Sequence, residues 1–408
     1  MIYSPIQDKH IVLGITGSIA CYKAADLSSK LAQAGALVDC VLTDAATKFI
    51  TPITFQSLTG RRAFINADLW GSDGHVLHIE LGKHADMILI APATANTLAK
   101  LANGIADNLL TIAALAADCP VLIAPAMDGG MFSHPATQEN LDRLRRRGVQ
   151  VIGPGEGHLA SGMVGKGRML EPLDIFGHVR LILAQGGPLA GRKVVVTAGG
   201  TREPIDPVRA ITNRSSGKQG YALAQAALDL GAEVTLISGS VCLEAPVGAE
   251  QVDVNSVHEM LDAVLEEIPK ADILIMAAAV TDFRPTSPAA EKIKKDTGVP
   301  RIQLEAAPDI LVEVAHYKER NGWPQVSVGF AAESQDLIEN ARVKLENKKL
   351  DMIVANDISD NQAGFSVDTN RVTIIYPDGH TESLPLMSKV EVASEILERV
   401  RQLILVDK

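Results

Sequence analysis

Two short segments carry residue types suited to holding an anion. Gly14-Ile-Thr-Gly17, followed by Ser18, Ile19 and Ala20, closes one apolar run and opens a helical stretch. Small residues at such a turn let backbone N–H groups approach a phosphate at a helix N-terminus. The turn is not a full dinucleotide fingerprint: the third glycine is replaced, and no acidic residue takes the usual place after the second strand. Alone it reads equally well as a phosphate site or as a plain tight turn. Ala91-Pro-Ala-Thr-Ala-Asn96 offers hydroxyl and amide groups after another strand. That is where open α/β sheets bind ligands, although an ordinary capped turn has the same composition. Lys292-Ile-Lys-Lys295 supplies cations, either for phosphates or for a solvated loop. His78 in His78-Ile-Glu-Leu-Gly82 is a candidate acid or base, and a lone histidine is more often structural.

Regular elements must place these groups. His10 to Gly17 reads as a buried strand, with Ser18 as a candidate helix cap and Gly35 as the stop. Val38 to Thr43, Met87 to Ala91 and Val121 to Ala124 read as further strands. Strands apolar on both faces, separated by helices, imply a parallel sheet covered on both sides. A similar start returns at Arg192 to Gly200, with a helix from Gly217 to Gly231 and a strand from Glu233 to Ser238. The turn-rich Gln185 to Gly191 marks a boundary, giving domains 1–187 and 188–408. The Ala198 to Ser216 connection reads as a long loop, and loops of that length are usually functional. Asp282 to Pro308 is a second irregular stretch. Arg143-Leu-Arg-Arg-Arg147 reads as a solvated helix face.

Bulk properties exclude several classes. The 408 residues suffice for two or three domains, and 47% hydrophobic with 21% charged residues fits a globular protein. A net charge of -11 leaves no electrostatic footprint for nucleic acid or anionic membrane. Any anionic ligand must be held by local donors. The four cysteines, Cys21, Cys40, Cys119 and Cys242, form no CxxC pair and read as reduced thiols of a cytoplasmic protein. Met1 to Lys9 lacks the pattern of a signal peptide. The apolar runs are too short to span a bilayer.

Taken together, the glycine turn, Ala91–Asn96, His78–Gly82, Pro125-Ala-Met-Asp128 and Ala160–Arg168 resemble the FMN-dependent cysteine decarboxylases over roughly residues 10–175. The resemblance implies a flavodoxin-like fold, homotrimeric assembly, and FMN held by Gly17, Ser18, Ile19, Thr43, Ala93, Thr94 and Asn96. It makes His78 catalytic. It also exposes two departures: Asp128 stands where the family motif has Asn, and Ser161 where it has a flap cysteine. In this chemistry the flavin oxidises the substrate thiol, CO₂ leaves, and the enethiolate is protonated and reduced. An Asn amide can donate to the departing carboxylate, whereas an ionised Asp repels it. Asp128 thus calls for a raised pKa, a cationic partner or a different orientation. Ser161 is a weaker acid than a thiol, though it can relay a proton. Cys21, just after the turn, reads as a substitute thiol or as a small buried core residue.

The second half resembles phosphopantothenoylcysteine synthetases over roughly residues 190–400. The segments that carry this are Thr197–Arg209, Ile211–Gly220, Ala277–Asp282, Glu291–Lys295, Val328–Glu333 and Val354–Asp357. The resemblance implies a Rossmann-like ligase. A carboxylate attacks the α-phosphate of CTP, and the cysteine amine then displaces CMP from the acyl-cytidylate. Charge builds on phosphate oxygens, so lysines and Mg²⁺ are expected. By motif, Ala277, Ala278, Asp282, Lys292, Pro308, Asp309, Ile310, Leu311, Phe330, Lys344 and Lys348 would line the nucleotide site. Asp282 would help place the metal, and Asn213 would serve the acyl-cytidylate step by donating to the oxyanion. Ala307 replaces an Asn often found there. The order of the halves points to the bifunctional bacterial coenzyme A enzymes, with CTP, 4′-phosphopantothenate and L-cysteine as substrates. Their assembly would combine trimeric decarboxylase and dimeric ligase domains, as a dodecamer does. Three readings compete. One is an active ligase whose FMN-binding half is altered in decarboxylation. Another, a nicotinamide reductase, lacks a complete fingerprint. The third, a flavin-binding phosphatase inhibitor, would need neither the ligase half nor this tail-free chain.

Overall fold

A computed structural model describes residues 3–70, 76–294, 300–333, 336–357 and 367–406. The chain forms two compact units, Ser4–Leu183 and Ala184–Lys408. In the first the elements run β1 (His10–Ile15), α1 (Cys21–Gln33), β2 (Leu37–Leu42), α2 (Pro52–Thr59), β3 (Ala63–Ile65), α3 (Leu77–Lys83), β4 (Met87–Ala93), α4 (Ala95–Asn103) and α5 (Leu109–Ala116). They continue with β5 (Val121–Pro125), α6 (Gly129–Ser133), α7 (Pro135–Arg146), β6 (Gln150–Val151), β7 (Gly155–His158), β8 (Val164–Arg168) and α8 (Pro172–Leu183).

The main sheet is parallel, in the order β3-β2-β1-β4-β5-β6. Without the three-residue edge strand β3, this is the flavodoxin order, with its reversal between β1 and β4. The apolar runs explain the two-sided burial. Ile11, Leu13 and Ile15 pack with Leu27, Leu31, Phe55 and Val179 on one face. Val12, one residue out of phase, packs with Ile88, Ile90, Leu98 and Leu141 on the other, as the strand period of two requires. Ser18 does not cap α1. The cap position is Ala20, without a side-chain cap, and the Ser18 hydroxyl accepts instead from the Ala20 N–H within the turn at 3.3 Å. Cys21 and Cys40 are buried, and burial pushes both thiols up. Cys21 donates to the Thr16 carbonyl, which makes it a core residue.

In the second unit the elements are β9 (Lys193–Ala198), β10 (Arg202–Asp206), β11 (Arg209–Thr212), α9 (Lys218–Asp229), β12 (Glu233–Ser238), β13 (Ala249–Asp253), α10 (Val257–Glu267), β14 (Ile273–Met276) and β15 (Phe283–Pro285). They continue with β16 (Leu304–Ala306), α11 (Ile310–Asn321), β17 (Val326–Glu333), α12 (Leu337–Asn347), β18 (Met352–Asp357), β19 (Thr369–Asn370), β20 (Val372–Ile375), β21 (Thr381–Ser383), β22 (Met387–Ser388) and α13 (Lys389–Val406). The sheet order is β13-β12-β9-β14-β17-β18-β20-β21. It is parallel from β13 to β18, and β20 and β21 close it antiparallel. The first six positions repeat the reversal of the first unit, here between β9 and β14. The connection expected as a loop after β9 is instead an antiparallel hairpin, β10–β11. Among the described residues no helix is long and apolar enough to cross a membrane.

Candidate functional site

In the first unit the strand order reverses between β1 and β4, where open α/β sheets form their ligand crevice. The Thr16 hydroxyl donates to the Pro92 carbonyl at 2.7 Å and accepts from the Thr94 N–H at 3.0 Å, locking the two strand ends together. Thr94 then caps α4, accepting from the Thr97 N–H, with Asn96 in the first turn. A side chain at Gly17 would put its Cβ 2.4 Å from the Ala45 Cβ. Only glycine lets the turn lie that close to the segment after β2, where the Thr43 N–H bonds the Ile15 carbonyl. Gly17, Ser18 and Thr43 therefore share one end of the sheet, with Ile19 exposed above the turn. His78 lies on α3. Its Nδ1 is buried without a hydrogen-bond partner among the described residues, a state that is costly unless a ligand supplies the partner. A close backbone cradle and paired hydroxyls fit a phosphate-bearing flavin, and on α3 His78 offers an unmet ring nitrogen.

The odd pair meets directly. The Ser161 hydroxyl donates to Asp128 Oδ2 at 2.7 Å, and the Gly130 N–H donates to Oδ1 at 2.9 Å. The β7–β8 hairpin makes this contact because Gly167 lies against the strand end. The Met127 N–H bonds the Gly167 carbonyl, and a Cβ at Gly167 would stand 2.2 Å from the Met127 oxygen. Lys23, buried on α1, ties down the following segment through the Met169 carbonyl and Glu171. The Ser161 hydroxyl first, and the Gly130 amide second, hold the Asp128 carboxyl below the usual carboxylate range. A raised pKa, one of the options the sequence left open, is thereby corrected: Asp128 is an ionised, hydrogen-bonded carboxylate turned toward Ser161.

In the second unit most of the named residues follow the end of β14, lie on β17 or stand at the start of α11, with two lysines on and just after α12. The Ala278 N–H donates to Thr197 Oγ1 at 3.1 Å, and the Asn213 amide nitrogen donates to the carbonyls of Ala279 (3.1 Å) and Val280 (2.9 Å). The Ala307 N–H bonds the Asp282 carbonyl, which brings Ala277–Asp282 against Pro308–Leu311. Asp309 caps α11 through the N–H groups of Leu311 and Val312 and pairs with Lys348 at 3.0 Å. The register Met276↔Gly329 sets Phe330 one residue beyond β14's end. Lys344 stands on α12, one turn before Lys348. Lys292 is exposed on a segment tied to the β10–β11 hairpin. Lys295 lies outside the described residues. With its nitrogen spent on two carbonyls, Asn213 does not present an oxyanion donor in this arrangement; its carbonyl oxygen is the group left to act. Among the described residues no three His, Cys, Asp or Glu side chains cluster as a metal site. Asp282 alone therefore fits Mg²⁺ only as a partner to an ion carried by phosphates and water.

Residues 3–182 match a family model described as Flavoprotein, and residues 189–404 match the DNA/pantothenate metabolism flavoprotein C-terminal domain. The coenzyme A biosynthesis bifunctional protein CoaBC of Bacillus subtilis is 47% identical over 401 residues, covering 98% of each chain. The Vibrio vulnificus (strain YJ016) protein of the same name is 46% identical over 98% of each chain. That of Mycobacterium tuberculosis is 43% identical over 96% of each. The chain belongs to the CoaBC family. It is a bifunctional enzyme of coenzyme A biosynthesis, a phosphopantothenate–cysteine ligase and an FMN-dependent phosphopantothenoylcysteine decarboxylase.

Family membership gives the chain its two reactions but leaves three structural residues unnamed. Thr16 and Lys23 carry no motif signal beyond their place beside the glycine turn. Asp206 lies inside the segment that carries the ligase resemblance, in the connection that reads in sequence as a long loop.

Proposed function

We propose that each reaction runs at the crevice between the first and fourth strands of its own sheet. What supports this reading is that the glycine turn is tied to Ala91–Asn96 in the first unit, and Ala277–Asp282 to Asn213 and to the Pro308 segment in the second. In the first, the Gly17, Ser18 and Ile19 turn, Thr43, Ala93, Thr94 and Asn96 would hold FMN, with His78 beside flavin and substrate. When bound, FMN supplies the hydride acceptor and donor. Ser161 and Asp128 handle the proton. Ionised Asp128 takes the substrate thiol proton through the Ser161 hydroxyl. The same path returns it to the carbon that CO₂ leaves. The Gly130 amide and the Ser161 hydroxyl turn the negative charge away from the departing carboxylate.

In the second unit, CTP would lie against Ala277, Ala278, Asp282, Pro308–Leu311, Phe330, Lys344 and Lys348, with Lys292 over the phosphates. Lysine charge there offsets what develops on phosphate oxygens. Asp282 would help hold the Mg²⁺ that the triphosphate brings. The Asn213 carbonyl oxygen accepts from the cysteine amine as it displaces CMP. The domains would divide at 187/188, assemble as trimers of the first and dimers of the second, and work in the cytoplasm.

The test is product analysis of the full chain with 4′-phosphopantothenate, cysteine, CTP, Mg²⁺ and FMN. Pyrophosphate, CO₂ and the reduced aminothiol are followed separately. Pyrophosphate without CO₂ would remove the proposed proton path, and full turnover with ATP alone would remove the CTP assignment.

A further inference from the structure

The hairpin β10–β11 carries two carboxylates that its exposed position does not require. Glu203 is 3% exposed and accepts from the Val257 N–H at 2.8 Å and the Thr281 hydroxyl at 3.3 Å. It fixes the near end of the hairpin beside Asp282. Asp206, also 3% exposed, stands at the far end. Its Oδ1 accepts from the N–H groups of Val208 and Arg209, each at 2.8 Å, which closes the hairpin turn. Its Oδ2 accepts from the Ile293 N–H at 3.2 Å and pairs with the Arg209 guanidinium at 3.2 Å. Arg209 also reaches the Ile293 carbonyl at 3.4 Å, and the Ala289 N–H bonds the Ile205 carbonyl. The segment that presents Lys292 is thus strapped to the hairpin on both sides of the lysine. A buried carboxylate is costly unless its oxygens are occupied. Here one oxygen serves the hairpin itself and the other serves the Lys292 segment.

We infer that Asp206 is a positioning residue for the ligation reaction, holding the Lys292 segment over the nucleotide crevice through Oδ2 and acting on the chemistry only through it. The inference rests on the placement of Lys292 at the nucleotide phosphates. Displacement of a charge by about 1 Å costs on the order of 100-fold in rate even when the change is remote from the chemistry.

Asp206→Asn separates the two duties. The amide oxygen still accepts at the hairpin turn, while the amide nitrogen cannot accept from Ile293 and loses the Arg209 pair. The experiment measures steady-state pyrophosphate release by the full chain with CTP, Mg²⁺, 4′-phosphopantothenate and cysteine, and compares wild type, Asp206→Asn, Lys292→Gln and the double variant. Circular dichroism and the thermal midpoint are recorded alongside. The expected result is a loss of about 10- to 100-fold in Asp206→Asn, carried by kcat rather than by the KM for CTP, with the spectrum retained. The double variant should then fall no more than about 3-fold below Lys292→Gln, because a lost lysine cannot be misplaced. An equal loss in both backgrounds, whether from misfolding or from an independent role, overturns the inference. So does an unchanged rate in Asp206→Asn. If Lys292→Gln itself releases pyrophosphate at the wild-type rate, the fault lies in the placement of the nucleotide site, and the inference falls with it.

Discussion

The two units solve one geometric problem in opposite ways. Both sheets reverse between their first and fourth strands, β1/β4 and β9/β14, so both open a crevice at the same topological place. In the first unit, the hairpin beside the proposed site is β7–β8, and its contact, Ser161 to Asp128, is exposed. In the second, the hairpin is β10–β11, inserted directly after the first strand, and its anchoring carboxylates are buried. An exposed contact is easily made and broken, which suits the proton transfer proposed there. A buried carboxylate with its oxygens occupied is costly to disturb and suits a fixed charge array. The sheet supplies the place, and the insertion decides whether the site is compliant or rigid.

This contrast can be broken most severely at the rigid site. Lys292→Gln should lower pyrophosphate release by about 100- to 1000-fold, the usual cost of removing a preorganised electrostatic partner. CO₂ release from supplied 4′-phosphopantothenoylcysteine should be unchanged. A parallel loss of both activities would show that the units do not work as separate sites.

At the compliant site, Ser161→Ala should cost about 100-fold in formation of the reduced aminothiol, the lower end for a lost proton-transfer group, with ligation unaffected. The pH dependence sharpens this. The folded pKa of Asp128 lies below its unfolded value, so its stabilising contribution is present above about pH 4 and lost as pH falls through the folded pKa. Asp128 should therefore add no titration to the decarboxylation rate between about pH 5 and 7. A rate that climbs steadily as pH drops toward 5 would mean that protonated Asp128 is the active form.

A smaller effect is expected at the flavin cradle. Gly17→Ala drives a methyl group into Ala45 and should destabilise the first unit by about 1–3 kcal/mol. The purified protein should lose flavin absorbance while keeping pyrophosphate release. Retained flavin at wild-type occupancy would show that the turn does not hold the cofactor.

The smallest effect concerns Lys389, whose pKa burial, followed by the charge of Lys218, lowers to about 8. Between about pH 8 and 10.5 the unfolded chain holds this proton and the folded chain does not, so this group makes stability rise with pH. Lys389→Met should flatten that rise in the urea midpoint of the second unit, and an unaltered slope would assign it to other groups.

The sequence reading worked where chemistry and period coincide. Short continuous apolar runs such as Met87–Ala91, bounded by helical stretches, read as buried strands and are strands, and the glycine turn beside Ala45 is a local property of a few residues. It failed where a polar pattern hides a packed role. Arg202-Glu-Pro-Ile-Asp206 alternates charges with a proline and reads as a loop. Its two acids are buried because their partners, Val257, Thr281 and Ile293, come from distant segments. Ser161 and Asp128 were both singled out, but their contact spans 33 residues, and no local pattern reveals a hydroxyl that lowers a carboxyl's pKa. Ser18 misled because a cap is defined by where the helix starts, here three residues later at Cys21.

The buried thiols have a consequence for redox exposure. The first unit processes a substrate thiol, yet Cys21 and Cys40 are enclosed and held protonated, Cys119 is also pushed up by burial, and the flap position holds a hydroxyl. Thiolates are the form that exchanges with disulfides and reacts with oxidants. Among the described residues of the first unit, Cys21, Cys40 and Cys119 are all shifted away from that form, so thiol exchange there is left to the substrate's own sulfur.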